Sequence, residues 1–488
     1  MSFCMFNKQE ISRRALLRHS GVGGLALTYL LRQEGLFAAA HKRGPEGSGL
    51  LPTASDFAPR AKAVIQLVQN GGPSQMDLFD PKPELQKNNG KQHSFKVETF
   101  QTGSESNELL GTPFEFRKAG RAGMDFSEIL THTPSIADEI CLIRSMYSEH
   151  NNHTEALIMY GTGKIFRGRP TLGAWVTYAL GTENGNLPAY IVLRDPEGYS
   201  TNGTLNWDNG WLSALYSGTE FNTQGSPVLN LLPARPMPNG VQSEKLSLLA
   251  KLNEEHRTNY PLDTDLEARI RNYELAAKMQ LSASSVLDLS KETEATKKLY
   301  GLDNEFTRGY GQRCLMARRL IEAGVRFVQV FPPLDPTFQP WDSHNNVKTE
   351  NQTIAARTEQ GSAALVIDLK SRGLLDETVV MWGGEFGRLP ISQNGRGRDH
   401  NRWAFSLWLA GGGFKPGFVY GATDEIGYKA VENKVSVPDL HATMLHQLGI
   451  DHRKLIYVHN GRNESLTDAT ITGARVVGDV LAKPPVVV

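Results

Sequence analysis

Short apolar runs punctuate this chain, and each ends at glycines or polar residues. The first, residues 63–68, stops at Asn70-Gly71-Gly72-Pro73, and others occupy 189–193, 325–331, 378–382 and 405–410. An apolar run without alternation belongs to a strand covered on both faces, as in a parallel sheet. Between these runs, apolar residues recur at helical spacing over 266–279, 313–323, 361–369 and 439–448, the last opened by Pro438-Asp439. Strands alternating with helices predict an α/β fold with a central, mainly parallel sheet and helices on both faces. Residues 195–260, rich in Gly, Asn, Ser and Pro, read as a loop-rich insertion, and the charged stretch 280–300 reads as a solvated surface helix. The expected insertion therefore spans about 195–300. No internal repeat is visible.

The first forty residues follow a different pattern. Arg13-Arg14 is followed by Ala15-Leu16-Leu17 and Arg18, then by a weakly apolar stretch over 21–31 and small residues at Ala38-Ala39-Ala40. Basic region, apolar region and small-residue cleavage site, in that order, make a signal peptide, and the arginine pair marks the twin-arginine class. The apolar stretch is too short and too rich in glycine to span a bilayer. The expectation is a signal over 1–40, a polar lead-in over 41–60 and one folded domain over 61–488. Its partner in export is the twin-arginine translocase, and its destination is the periplasm or another exported compartment.

Composition narrows the function. Lys+Arg and Asp+Glu are equal at 52 each, so no net field recruits nucleic acid or an anionic membrane. No stretch after the signal is long and apolar enough for a transmembrane anchor. Of the three cysteines, Cys4 lies in the signal, so the exported chain has at most one disulfide, between Cys141 and Cys314.

Sites in parallel sheets form beyond the carboxyl ends of the strands. Carboxylates and imidazoles cluster after several predicted strands: Asp77 after the first, Asp342 and His344 after 325–331, Glu385 and Arg388 after 378–382, and Asp399-His400 shortly beyond. Oxygen and nitrogen donors of these kinds suit a divalent metal, zinc, calcium, magnesium or manganese. A buried Glu385 demands a cation or an arginine beside it. A further polar cluster, His150, Asn152, His153 and Thr154, opens a predicted helix, where free main-chain N–H groups can hold an anion.

These residues carry a resemblance. The motifs Gln69-Asn70-Gly71-Gly72-Pro73-Ser74-Gln75-Met76-Asp77, His150-Asn151-Asn152-His153-Thr154-Glu155-Ala156, Trp341-Asp342-Ser343-His344, Gly384-Glu385-Phe386-Gly387-Arg388, Gly397-Arg398-Asp399-His400-Asn401 and Asp439-Leu440-His441-Ala442-Thr443 stand in an order that resembles the domain-of-unknown-function family 1501. That family is similar to the alkaline phosphatase and sulfatase superfamily. The resemblance implies an alkaline phosphatase-like three-layer sandwich, two metal sites, and transfer of a phosphoryl or sulfuryl group to water. It implies metal binding by Asp77, Asp342, His344, Glu385, Asp399 and His400. Catalytic roles fall on His153 and Thr154, and anion binding on Asn152, His150 and Arg388. The departures are specific. Asn70 stands where the superfamily has an Asp, Phe386 stands where a His ligand is common, and no formylglycine signature occurs.

The expected function is that of an exported metal-dependent hydrolase of phosphate or sulfate esters, with an anionic ester or sulfated polysaccharide as substrate. The alternative is a non-catalytic exported protein that binds anionic polysaccharide or organises the envelope. An acyl-transfer hydrolase is disfavoured, because no Gly-x-Ser-x-Gly elbow occurs.

Overall fold

The structure, a computed structural model, describes residues 50–223, 240–259, 270, 274–275, 278–279, 286–334 and 339–486. The twin-arginine segment, and most of the helix expected over 266–279, lie outside these residues.

The strands of the central sheet are, in chain order, β1 (Ala63–Val68), β2 (Ile140–Tyr147), β3 (Tyr190–Leu193), β4 (Thr219–Glu220), β5 (Phe327–Val330), β6 (Thr378–Gly383), β7 (Phe405–Ala410), β8 (Phe418–Tyr420) and β9 (Val435–Ser436). They lie side by side in the order β8-β2-β7-β6-β1-β5-β3-β4, and β9 also pairs with β2. β1 runs parallel to β5 and β6, and β5 parallel to β3. β7 alone runs antiparallel, against both β6 and β2. The sheet is thus mainly parallel, as the apolar runs predict, with one reversed strand inserted.

Side chains alternate between two cores. From β1, Ile65 and Leu67 pack on one face, against Leu315 and Leu320 of helix Glu305–Glu322 and Ala364 and Leu365 of helix Val347–Ser371. Val64 and Val68 pack on the other, with Trp175 of helix Leu172–Leu180 and Leu440 and Met444 of helix Val437–Gln447. This period-two division of a fully buried strand makes a three-layer sandwich. One polar position, Gln66, is carried inside by pairing: Gln329 donates to it at 3.2 Å and accepts from the Tyr190 hydroxyl at 2.9 Å.

The lead-in is tied to the body, since Thr53 N–H donates to the Leu180 carbonyl and Asp56 N–H to that of Gly449. Cys141 and Cys314 are both buried free thiols, so they form no disulfide. Burial pushes each thiol up to about 12. Among the described residues no helix is long and apolar enough to cross a membrane.

The stretch 280–300 differs from the expected solvated helix. Its described part holds two short pieces, Leu289–Lys291 and Glu294–Leu299. Glu292 between them has a buried carboxylate that meets Arg318 at 2.8 Å and also pairs with Arg319. Its charge is turned inward to neutralise buried arginines, which a count of charged residues does not show.

Candidate metal centre

Close backbone approach assembles the site. β1 ends at Val68, and Gly71, three residues on, has φ +109°; a Cβ there would lie 2.7 Å from the Trp341 nitrogen and 2.8 Å from the Asp342 nitrogen. Gly72, at φ +77°, lies under Phe386, whose ring atoms would be 2.7 Å from a Cβ. Glycine at both positions lets the loops after β5 and β6 press onto the end of β1. The loop after β2 adds His153 as the first residue of helix α1 (His153–Thr162), capped by Asn152, whose side chain accepts from Thr154 N–H at 3.0 Å.

Four side chains meet there. One donor atom each from His153, Asp342, His344 and His400 lies within 4.8 Å of every other. Asp342 Oδ1 is the hub: the Nε2 atoms of His344, His400 and His153 stand 2.8, 3.2 and 3.3 Å from it. Arg388 Nη2 reaches the same oxygen at 2.5 Å.

The other ring nitrogen of each imidazole is already engaged. His153 Nδ1 lies 2.7 Å from Glu385 Oε1, and His400 Nδ1 lies 2.6 Å from the Asn151 carbonyl oxygen. His344 Nδ1 meets Gln393 Oε1. A main-chain carbonyl can only accept, so His400 Nδ1 carries the proton; the carboxylate and the amide oxygen impose the same tautomer on the other two. In the neutral rings, Nε2 is then a lone pair. Three lone pairs therefore converge on a carboxylate oxygen, with two of them, on His344 and His400, 2.9 Å apart. Such an arrangement repels itself unless a proton or a metal ion sits among the donors. His153 Nε2 is buried, and its 3.3 Å approach to Asp342 Oδ1 lies outside good hydrogen-bond geometry.

The electrostatics agree. Burial opposes ionisation of Asp342, but Arg388 and the three imidazoles hold its carboxyl far below the usual range. Burial also works against a charged His153, yet Asp342 and Glu385 outweigh it and raise the imidazole above its ordinary value. His400 is pushed down to about 3 by burial, helped by Arg388 and His153, so it stays neutral. The pocket favours positive charge next to neutral nitrogen donors, which is the requirement for binding a metal.

The remaining predicted residues lie outside the donor cluster. Glu385 is one step back: it is fully buried, holds His153 Nδ1, and accepts Gly71 N–H at 2.9 and 3.2 Å. The arginine near it, Arg388, pairs with Asp342 instead and spends its other donors on the carbonyls of Gly71, Gly72, Trp341 and Arg398. Asp77 is buried against Arg398, at 2.7 and 3.1 Å, and takes the Ser74 hydroxyl. Asp399 accepts from Phe100 and Gln101 N–H at 2.6 and 2.8 Å, and from its neighbour His400 N–H. His150 stays at the helix entry, where its Nδ1 accepts from Asn152 N–H at 3.1 Å. Thr154 lends its carbonyl to Asn202 at 2.9 Å. Asn70 donates to Gln339 at 2.6 Å.

Gln393, Asn151 and Phe100 have site contacts that the sequence motifs do not announce. Phe100 stacks on His400 with ring centroids 5.4 Å apart, and Phe386 packs on His400 at 4.6 Å.

No curated protein matches the chain. Among solved structures, the lipoteichoic acid synthase LtaP from Listeria monocytogenes is similar at 8% identity and a TM-score of 0.34, covering 84% of this chain and 76% of its own. The phosphonate monoester hydrolase SpPMH from Silicibacter pomeroyi is similar at 13% identity and a TM-score of 0.33, covering 71% of this chain and 72% of its own. The PsFucS1 sulfatase from Pseudoalteromonas sp. is similar at 11% identity and a TM-score of 0.33, covering 88% of this chain and 72% of its own. The family model described as "Protein of unknown function (DUF1501)" matches residues 61–481, and the chain belongs to that family.

Proposed function

We propose that this protein is an exported hydrolase of phosphate or sulfate esters that works with one divalent metal held by His153, Asp342, His344 and His400. The observation that carries the reading is the convergence of three imidazole Nε2 atoms on one carboxylate oxygen, each ring held through Nδ1 by a separate acceptor. A donor set of three nitrogens and one oxygen suits zinc or manganese better than calcium or magnesium, which prefer oxygen alone. The orphaned His153 Nε2 fits such an ion. A metal there supplies Lewis acidity, which makes water a stronger nucleophile and offsets charge on the ester oxygens. The ester class follows from the motif resemblance to the phosphatase and sulfatase superfamily.

One ion is proposed, not two. Asp77 and Asp399 are committed to Arg398 and to main-chain N–H groups, and Glu385 to His153 and Gly71. This chain's own residues then have distinct tasks. Arg388 keeps Asp342 ionised, while Glu385, Asn151 and Gln393 aim the imidazoles. The side chains of His153, His344 and Asp342 keep 13%, 14% and 20% of their surface exposed, so the cluster is in contact with solvent.

One observation favours the non-catalytic reading. Arg388, the guanidinium at the cluster, is fully buried and spent on Asp342 and main-chain carbonyls, so it does not offer itself to a substrate anion. Purified full-length protein loaded with zinc or manganese should turn over aryl phosphates, diesters or aryl sulfates, and Asp342→Ala with His344→Ala should abolish it. Metal binding without turnover of any of these would favour the binding protein. Export is tested separately: Arg13→Lys with Arg14→Lys should stop a folded reporter fused to residues 1–40 from leaving the cytoplasm.

A further inference from the structure

One exposed ring beside the cluster is held with unusual care. Phe100 is 42% exposed, yet it lies nearly flat on the ring of His400, with an interplanar angle of 20°. His400 thus packs against two aromatic rings, the fully buried Phe386 and the partly exposed Phe100. The segment carrying Phe100 has no regular secondary structure, so holding it in one conformation has an entropic cost. Polar anchors on both sides offset that cost.

On one side, Glu98 accepts from Trp403 Nε1 at 2.8 Å and Arg402 Nη2 at 3.1 Å, and its N–H donates to the Tyr428 hydroxyl at 3.1 Å. On the other, Phe100 and Gln101 N–H bind Asp399, the Thr102 carbonyl accepts from Gln393 Nε2 at 2.9 Å, and the Gly103 carbonyl accepts from Asn394 N–H at 2.9 Å. Two of these anchors also touch the metal centre. Asp399 precedes His400, and Gln393 holds His344 through its other amide atom. What the anchors fix is an apolar ring with one face on a metal ligand and the remainder toward solvent.

We propose that Phe100 is a specificity-determining residue: it stacks on the organic part of the ester, and selects alcohols that present a flat apolar ring face. This rests on the reading of the cluster as a metal centre for esters. Aromatic stacking of this kind is worth roughly a threefold to tenfold gain in affinity.

The test uses the full chain loaded with zinc and three non-hydrolysable probes, methylphosphonate, phenylphosphonate and cyclohexylphosphonate, with binding measured by calorimetry. Wild type should bind a ring-bearing probe roughly threefold to tenfold more tightly than methylphosphonate. Phe100→Ala should lose that preference while keeping its zinc content and its methylphosphonate affinity, and Phe100→Tyr should retain it. Preference for phenyl alone assigns an aromatic alcohol, and preference for both rings assigns a face shared with saturated, sugar-like rings. Methylphosphonate binding without ring preference, or a preference that survives in Phe100→Ala, would overturn the role of Phe100 and leave the metal centre standing. Zinc loading with no phosphonate binding would overturn the role of Phe100 together with the reading of the metal centre as an ester site.

Discussion

Replacing Glu385 by glutamine separates a residue that aims a ligand from one that binds metal itself. The carboxylate receives His153 Nδ1–H at 2.7 Å through Oε1, and Gly71 N–H at 2.9 and 3.2 Å through both oxygens. A carboxamide keeps one oxygen. With that oxygen in the Oε1 place both bonds there survive, and the NH2 faces Gly71 N–H across the 3.2 Å contact, donor against donor. The His153 bond also loses its ionic assistance, which is about half its strength, and the site loses one negative charge from its surroundings. Removing an outer partner of this kind typically weakens metal binding about 10–100-fold, or about 1.4–2.7 kcal/mol. Competition against a chromophoric zinc chelator at fixed pH measures the change. The expected result is a dissociation constant raised about 10–100-fold with stoichiometry intact. A change below about twofold would refute the orienting role, since charge and geometry both predict more than that. Complete loss of metal from a folded variant would instead make Glu385 a direct ligand.

Two other outcomes probe the scaffold. Arg398→Met strands the fully buried Asp77 carboxylate with only the Ser74 hydroxyl, so urea unfolding should show a loss of about 3–5 kcal/mol; adding Asp77→Asn should recover part of it, and additive losses would contradict the pairing. His441, whose Nε2 donates to the Tyr160 carbonyl at 3.0 Å, is pushed down to about 4 by burial from an ordinary 6.5. Between those values the unfolded chain takes up a proton that the folded chain refuses, so stability falls as pH drops through this window, by up to about 1.4 kcal/mol per pH unit. His441→Gln should flatten the dependence of urea-unfolding stability on pH there, and identical slopes in both proteins would refute the assignment.

The sheet was readable where the runs are largely apolar. β1, β6 and β7 follow the runs at 63–68, 378–382 and 405–410 closely. β2 escaped that reading because Arg144 and Ser145 interrupt it. Arg144 lies at a half-buried position of the strand and pairs with Asp80 and Asp125, and Ser145 Oγ donates to the Asn433 carbonyl. The antiparallel course of β7 was invisible for a different reason: burial on both faces produces the same apolar run in either direction.

The cluster was partly legible, since Asp342, His344 and His400 follow strands, and His153 opens a helix. The acceptors that fix their tautomers were not. A main-chain carbonyl at Asn151 and an amide at Gln393 leave no chemical signature in a sequence. Asp77 reads as a ligand from its place after β1, but its partner Arg398 is 321 positions away and becomes visible only in the fold. Phe100 lies in an irregular segment without periodicity, so nothing local marks it as part of the site.

The central claim is a single metal ion on three imidazoles and one carboxylate. Elemental analysis of purified full-length protein, equilibrated with zinc or manganese and then desalted, tests it most directly. One ion per chain is expected, absent from the Asp342→Ala, His344→Ala double variant, which should remain folded by circular dichroism. Wild-type protein that retains no metal, or that retains two ions per chain, would contradict it.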